Sequence, residues 1–268
     1  MKHYLVEGNS LSEAYHNALL CLNENGIEYP CSDYNTNMRE ISLTFQVKDA
    51  LQEPMISRIY PGGYEELQQY VMEICDGLLD FKLMDTKAGL WEYTYHDRFV
   101  RQLPFIIEEL TRNPESRRAV MNIRDFEVDS KNEHPACLQS MGFYIRDGKL
   151  HMKVMMRSND SIKASFMNAF AFIQLQVKIA AELNVIVGSY SHTAFSYHVY
   201  ERDYALLEKA CEDIEYYTFM PEKITYNYED FYKELMEESI PDIIKKVDAL
   251  KENMRSNYNH SHTISYNN

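Results

Sequence analysis

Phe143-Tyr144-Ile145-Arg146-Asp147-Gly148-Lys149-Leu150-His151-Met152-Lys153-Val154-Met155-Met156 is the stretch on which the fold turns. Two runs of strand-forming residues flank Asp147-Gly148, and an Asp-Gly pair between such runs marks a tight β-hairpin. Moving outward, a long apolar-rich helix is expected from about Ser161 to Leu183. Val185-Ile186-Val187-Gly188 then restarts extended structure that continues through Val199-Tyr200. Upstream, Ile41, Leu43, Phe45 and Val47 alternate with Ser42, Thr44 and Gln46, the period of a half-buried strand. Ala119-Val120-Met121-Asn122-Ile123 is also strand-like.

Caps and breakers locate the helices. Ser10 followed three residues later by Glu13 is a capping-box arrangement, and the apolar spacing after it predicts a helix over 10–25. Pro61-Gly62-Gly63 breaks the chain before a helical run from Tyr64 to about Leu79, and a second helix over 97–112 ends at Asn113-Pro114. Helices at 203–213 and 229–253 close the fold. Residues 254–268 are polar and aperiodic and are expected to form a mobile tail. There is no internal repeat and no linker-like shift in composition. Residues 1–253 therefore read as one α+β domain, a mixed β-sheet covered by helices.

The 268 residues are 45% hydrophobic, enough to fill a sizeable core, so disorder is not the default. Lys and Arg number 27 against 41 Asp and Glu, for a formal net charge of −14. Such a balance repels phosphate backbones at long range, so neither nucleic acid nor an anionic membrane is expected as a partner unless cations gather in one place. No window approaches 18 consecutive apolar residues, and Met1-Lys2-His3-Tyr4-Leu5-Val6-Glu7-Gly8 lacks the apolar stretch of a secretory signal. A soluble, cytoplasmic protein is expected. Cys21, Cys31, Cys75, Cys137 and Cys211 are odd in number and contain no C-x-x-C pair, which suggests neither a disulfide framework nor a metal site.

Three short stretches hold the unusual side chains. Asn113-Pro114-Glu115-Ser116-Arg117-Arg118 sets two adjacent arginines in an acidic chain. Paired guanidinium forks suit a phosphate dianion, while the plain alternative is an exposed turn with two solvated cations. His134-Pro135-Ala136-Cys137-Leu138-Gln139 places a cysteine after a loop and before a strand. An unperturbed thiol with a pKa of about 8.5 is only a few per cent ionised near neutral pH, so a reactive Cys137 needs a cation beside it. Arg157-Ser158-Asn159-Asp160 ends the second strand of the hairpin and supplies one. Adjacent strands would bring Arg157 beside Cys137. Taken alone, Cys137 is as readily an inert packed side chain.

Pro135-Ala136-Cys137, the hairpin from Phe143 to Leu150, Arg157-Ser158-Asn159-Asp160, Asn168-Ala169 and His198-Val199-Tyr200, preceded by Ser116-Arg117-Arg118, resemble the thymidylate synthase and pyrimidine hydroxymethylase family in order and spacing. The resemblance covers roughly residues 64–203 and is nearest to compact archaeal-type and hydroxymethylase-like members. It implies a thymidylate-synthase-like fold dimerising through its sheet. It also implies a one-carbon transfer from 5,10-methylenetetrahydrofolate, without a metal, to carbon 5 of a pyrimidine nucleoside monophosphate. Cys137 stands at the nucleophile's position and would add to carbon 6 of the pyrimidine. The resemblance makes Arg157, Ser158 and Arg39 phosphate ligands. Arg117 and Arg118 would reach the phosphate of the partner subunit's site, which implies a homodimer. His198 and Tyr200 would hold the sugar 3′-hydroxyl. Asp160 would help organise folate and pyrimidine, Glu73 would manage proton transfers, and Tyr93, with Tyr95 close by in sequence, would help remove the carbon 5 proton. Asn168 would read the base: an amide both donates to a uracil carbonyl and accepts from its N–H, whereas a carboxylate suits cytosine.

The family has two products, and they part at an exocyclic methylene on the bound pyrimidine. Hydride gives a methyl group when water is excluded, and water gives a hydroxymethyl group. The only tryptophan, Trp91, precedes Tyr93 rather than standing in the usual tryptophan segment, and the sequence closes on Ile264-Ser265-Tyr266-Asn267-Asn268. Lys163 and Ala164 stand where the family usually has Leu and Gly against the folate. These features tilt the expectation towards hydroxymethylation of dUMP or UMP. Thymidylate synthesis is the alternative, followed by a dCMP or CMP hydroxymethylase and a silent nucleotide-binding paralogue.

Overall fold

The computed structural model describes residues 2–84 and 93–264. Its elements in chain order are β1 (His3–Gly8), α1 (Leu11–Asn25), β2 (Ile27–Cys31), β3 (Thr36–Val47), β4 (Ile56–Ser57), α2 (Tyr64–Asp76), α3 (Tyr95–Val100), α4 (Leu103–Arg112) and β5 (Val120–Asn122). There follow α5 (Phe126–Asp129), β6 (Leu138–Arg146), β7 (Lys149–Asp160), α6 (Ser165–Glu182), β8 (Ile186–Tyr200), α7 (Tyr204–Tyr216), β9 (Thr225–Tyr226), α8 (Lys233–Glu238) and α9 (Ile240–Ile264).

The hairpin is present. Asp147 and Gly148 take φ of 51° and 72°, the mirror-image turn whose twist matches that of the flanking strands, and Arg146 pairs with Lys149. The main sheet runs β1-β3-β8-β7-β6-β5, with β2 also paired to β3. β1 with β3 and β7 with β8 are parallel, while the other pairs are antiparallel, so the sheet is mixed. One face is apolar: Phe45, Met152, Val154, Met156, Tyr190, Ala194 and Tyr197 are buried in a core shared with Leu11 and Leu19 of α1 and with Phe166 and Phe170 of α6. Each of the larger of these fully buried side chains contributes about 1.5–3 kcal/mol. The other face carries residues such as Thr44 and Thr193, whose hydroxyls lie 2.8 Å apart, with Met155 and Phe195 exposed.

Irregularities in the ladders decide which side chains reach the site. Between Ile41 and Leu43 of β3 the register moves from Tyr197 to Ala194, so β8 carries one extra residue. Ala194 and Tyr197 thereby both face the core. Beyond the bulge, parallel β7 and β8 align Ser158 with Ser196 and Asp160 with His198.

Several element boundaries depart from the sequence expectation. The helix expected over 97–112 is two helices, α3 and α4, because Pro104 has no N–H and its ring clashes with a preceding helical turn. α2 stops at Asp76 because Gly77 takes a left-handed φ of 67°. α6 begins at Ser165 rather than Ser161, since β7 runs to Asp160 and its carboxylate takes the amides of Ile162 and Lys163. The helix expected over 229–253 is broken after Ser239, next to Pro241, and its second half is α9, Ile240–Ile264. No described helix is long and apolar enough to cross a membrane.

Candidate active site

Cys137 is half-buried at the mouth of β6, directly before Leu138. Leu138 pairs with Met156, and the Arg157 amide donates to the Cys137 carbonyl at 2.8 Å, so the strands bring the two segments side by side. The Arg157 guanidinium is held in turn, with Nε donating to the Ala136 carbonyl at 3.2 Å and Nη2 to the Pro135 carbonyl at 2.7 Å. Burial pushes the Cys137 thiol above its ordinary pKa, and the Arg157 cation opposes that rise without cancelling it.

Two tyrosines lie against the same peptide. The Leu138 amide donates to the Tyr95 hydroxyl at 3.4 Å, and the Tyr93 hydroxyl interacts with the backbone of Cys137. Their rings are 5.8 Å apart. Burial, with the neighbouring Cys137, raises the Tyr93 phenol to about 12, so it is protonated at neutral pH.

α2 and α6 pack together and form the wall facing these residues. On α2, Gln69 Nε2 donates to Glu73 Oε1 at 2.8 Å, and burial raises the Glu73 carboxyl above its usual range. One turn before Glu73, the Tyr70 hydroxyl donates to Asn168 Oδ1 on α6 at 2.5 Å. Asn168 is buried, and its Nδ2 has no partner among the described residues.

The third wall comes from β7 and β8. His198 is buried, its ring meets that of Tyr200 edge-on at 4.8 Å, and Tyr34 packs against Tyr200 at 5.3 Å. Burial lowers the His198 pKa, so the ring is neutral. Nδ1 lies 3.3 Å from the Ser196 carbonyl, which only accepts, so that nitrogen carries the proton. Nε2 is then a bare acceptor, and it is buried without a partner among the described residues. Such an atom needs a donor from outside the chain. Behind it, His192 Nε2 meets Asn159 Oδ1 at 2.7 Å and Nδ1 meets the Tyr190 hydroxyl at 2.8 Å, with Phe45 stacked 4.7 Å from the imidazole. That network anchors the strand between Ser158 and Asp160.

Cys137, Arg157, Tyr93, Glu73, Asn168, Asp160, Ser158, His198 and Tyr200 thus come from α2, α6, β7, β8 and the segments that lead into α3 and β6. Arg39 does not join them. It registers with Val199, so alternation places it on the opposite side of the sheet from His198 and Tyr200. There its guanidinium lies 3.0 Å from Glu208 and 4.0 Å over the Tyr204 ring, partners within the same chain that satisfy the charge expected to meet phosphate. Arg117 and Arg118 are elsewhere too. With Arg112 and Arg146 they line a cavity of about 1060 Å3, and among the described residues no ion pair links them to the Cys137 group. Trp91 lies outside the described residues. Tyr70 was not singled out in the sequence; its position three residues before Glu73 places both on one helix face, and that was the available signal.

Residues 66–256 match the protein family described as thymidylate synthase. The chain belongs to the thymidylate synthase family. Among its relatives is a Methanocaldococcus jannaschii protein named "Putative thymidylate synthase", 36% identical over 156 residues, which are 56% of this chain and 70% of the relative. A Methanosarcina barkeri protein of the same name is 25% identical over 219 residues, covering 78% of this chain and 95% of the relative. The fold is also that of the solved thermostable thymidylate synthase A from Bacillus subtilis. That likeness has a TM-score of 0.61 and 19% identity, and covers 76% of this chain and 84% of that one. Membership of the thymidylate synthase family makes the chain a folate-dependent transferase acting at carbon 5 of a pyrimidine nucleotide.

Proposed function

We propose that this chain transfers a one-carbon unit to carbon 5 of a uridine monophosphate through a covalent bond from Cys137, and that water completes the reaction to give a hydroxymethyl group. The observation that carries the proposal is the Cys137–Arg157 pair facing Asn168 and the unpartnered His198 Nε2. Cys137 Sγ adds to carbon 6, the electron pair of the 5,6-double bond moves towards O4, and carbon 5 becomes nucleophilic. Asn168 Oδ1 accepts from N3–H and Nδ2 donates to O4. Glu73, protonated more readily than an ordinary carboxyl, supplies and recovers the proton on the O4 side. Tyr93 lies at the Cys137 backbone, where the carbon 5 proton must leave. His198 Nε2 accepts from the sugar hydroxyl, with Tyr200 beside it. Breaking the sulfur–carbon 6 bond then restores the aromatic base and the free thiol.

Asp160 fits the folate. One carboxylate oxygen takes the amides of Ile162 and Lys163, and the other has no hydrogen-bond partner among the described residues, leaving an acceptor for an N–H of the pterin. Methylenetetrahydrofolate, when bound, supplies carbon at the oxidation level of formaldehyde. Lys163, three residues after Asp160, forms a 2.6 Å ion pair with Asp203 and is 43% exposed. A half-exposed lysine at this position, where an apolar side chain would exclude solvent, supports entry of water, and therefore the hydroxymethyl product. Methylation to thymidylate is the second reading, favoured by the name carried by the archaeal relatives.

A homodimer accounts for the arginines left over. The exposed sheet face, with Met155 and Phe195, supports pairing with a second copy, and Arg117 and Arg118 would then supply charge to the phosphate in that copy's site. We also place the enzyme in the cytoplasm. Incubation with methylenetetrahydrofolate and each of dUMP, UMP, dCMP and CMP, followed by mass measurement of the nucleotide, tests the proposal. A uridylate heavier by CH2O, with tetrahydrofolate released, is the expected product. A gain of CH2 with dihydrofolate release would establish the second reading.

A further inference from the structure

Asn168 is an ambiguous reader of pyrimidines. With Oδ1 towards N3 and Nδ2 towards the exocyclic position it fits uracil. Rotated by half a turn, it presents Nδ2 to the bare N3 of cytosine and Oδ1 to the cytosine amino group. The amide alone therefore does not choose. Something must fix which end points where.

From the 2.5 Å contact between the Tyr70 hydroxyl and Asn168 Oδ1, we infer that Tyr70 is the positioning residue that locks Asn168 in its uracil-reading orientation and thereby sets base selectivity. The inference rests on the uridylate reading above. A carbonyl oxygen has two lone pairs, so Oδ1 accepts from Tyr70 and still serves N3–H. In the rotated state the phenol oxygen would face Nδ2 and could only accept from it. The hydroxyl would have to turn its proton elsewhere, and Tyr70 has no other hydrogen-bond partner among the described residues. Nor can it lose that proton, because burial and the neighbouring Glu73 raise its pKa far above the ordinary phenol value. A rotated amide would thus cost this half-buried hydroxyl its one hydrogen bond as a donor. The helix geometry makes the lock rigid: Tyr70 and Glu73 share one face of α2, and Asn168 lies in the first turn of α6, which packs on it.

The test is Tyr70→Phe, which removes only the hydroxyl. Titrating the full-length protein by calorimetry with dUMP and dCMP, without folate, gives two affinities and their ratio. The expected result is a preference for dUMP over dCMP that falls on the order of tenfold in Y70F, chiefly through tighter dCMP binding. A merely structural role would weaken both nucleotides equally and leave the ratio alone, so an unchanged ratio would overturn the inference. If Y70F does not fold, Tyr70→Met preserves volume without a donor and is read in the same way. Wild-type protein that binds neither nucleotide would instead sink the uridylate reading itself.

Discussion

The Arg157 amide donates to the Cys137 carbonyl at 2.8 Å, while the Arg157 guanidinium is tied back to the carbonyls of Pro135 and Ala136. The cation is thus fixed by the very segment that carries the thiol, and its position does not depend on a flexible side chain finding a rotamer. Its field opposes the upward push of burial on the Cys137 pKa.

Arg157→Met should therefore raise the Cys137 pKa further, since it removes the favourable charge and leaves the desolvation. The thiolate fraction at a given pH falls, and alkylation of Cys137 by iodoacetamide at pH 8 should slow on the order of tenfold. Rates followed across pH, with the modified peptide identified, check this. An unchanged or faster rate would show that Arg157 does not act on the thiol.

Buried histidines give the fold a pH limit. Burial lowers His16 to about 4 and His192 to about 3, and it lowers His198 as well. Their folded values lie below the unfolded value of about 6.5, so the unfolded chain binds more protons in acid and stability falls as pH drops through that value. At pH 5, His16 and His192 each cost about 2 kcal/mol relative to pH 8. Urea unfolding at the two pH values measures the loss, and His192→Gln should flatten it even though it weakens the fold at neutral pH.

Asp129 is fully buried and accepts from Arg98 at 2.9 Å, with Arg124 at 3.6 Å. Asp129→Ala leaves Arg98, which is 12% exposed and stacks 5.7 Å from the Tyr93 ring, with only the longer 3.8 Å contact to the half-exposed Asp125 as counter-charge. Stability should fall by about 3 kcal/mol or more, measured by denaturant unfolding. A loss under 1 kcal/mol would mean that solvent reaches the pair.

The Lys163–Asp203 ion pair offers a handle on the product. Lys163→Leu takes a half-exposed cation from Asp203, which is only 10% exposed but keeps Arg202 at 3.2 Å, so the loss of stability should stay below the roughly 3 kcal/mol of a buried charge left unpaired. The ratio of hydroxymethyl to methyl product, read by mass, should fall. An unchanged ratio would remove the argument that water enters past this side chain.

Much of this was legible in the sequence, for reasons that differ from residue to residue. Asp147-Gly148 announced the hairpin because only a narrow set of residues accepts two successive positive φ values, and the hairpin in turn predicted that Cys137 and Arg157 would be neighbours. Pro104 was visible too, yet the break it imposes between α3 and α4 was read through, because periodicity ran on across it. Arg39 illustrates the harder limit. Its register with Val199, not its local sequence, decides which side of the sheet it occupies, and a strand's period of two makes that a one-residue question. Tyr70 was hidden for the same kind of reason. Its place on the Glu73 face of α2 follows from local spacing, but the contact with Asn168 joins residues 98 positions apart, and no local spacing announces that.

The central claim is that Cys137 attacks carbon 6 of the pyrimidine. 5-Fluoro-dUMP tests it most directly, because fluorine cannot leave carbon 5 as the proton does, so the adduct persists. Incubated with methylenetetrahydrofolate and this nucleotide, the protein should gain the mass of both, the modified peptide should contain Cys137, and Cys137→Ser should bind dUMP yet form no adduct. An adduct on Cys21, Cys31, Cys75 or Cys211, or none at all in protein that binds dUMP, would contradict the account.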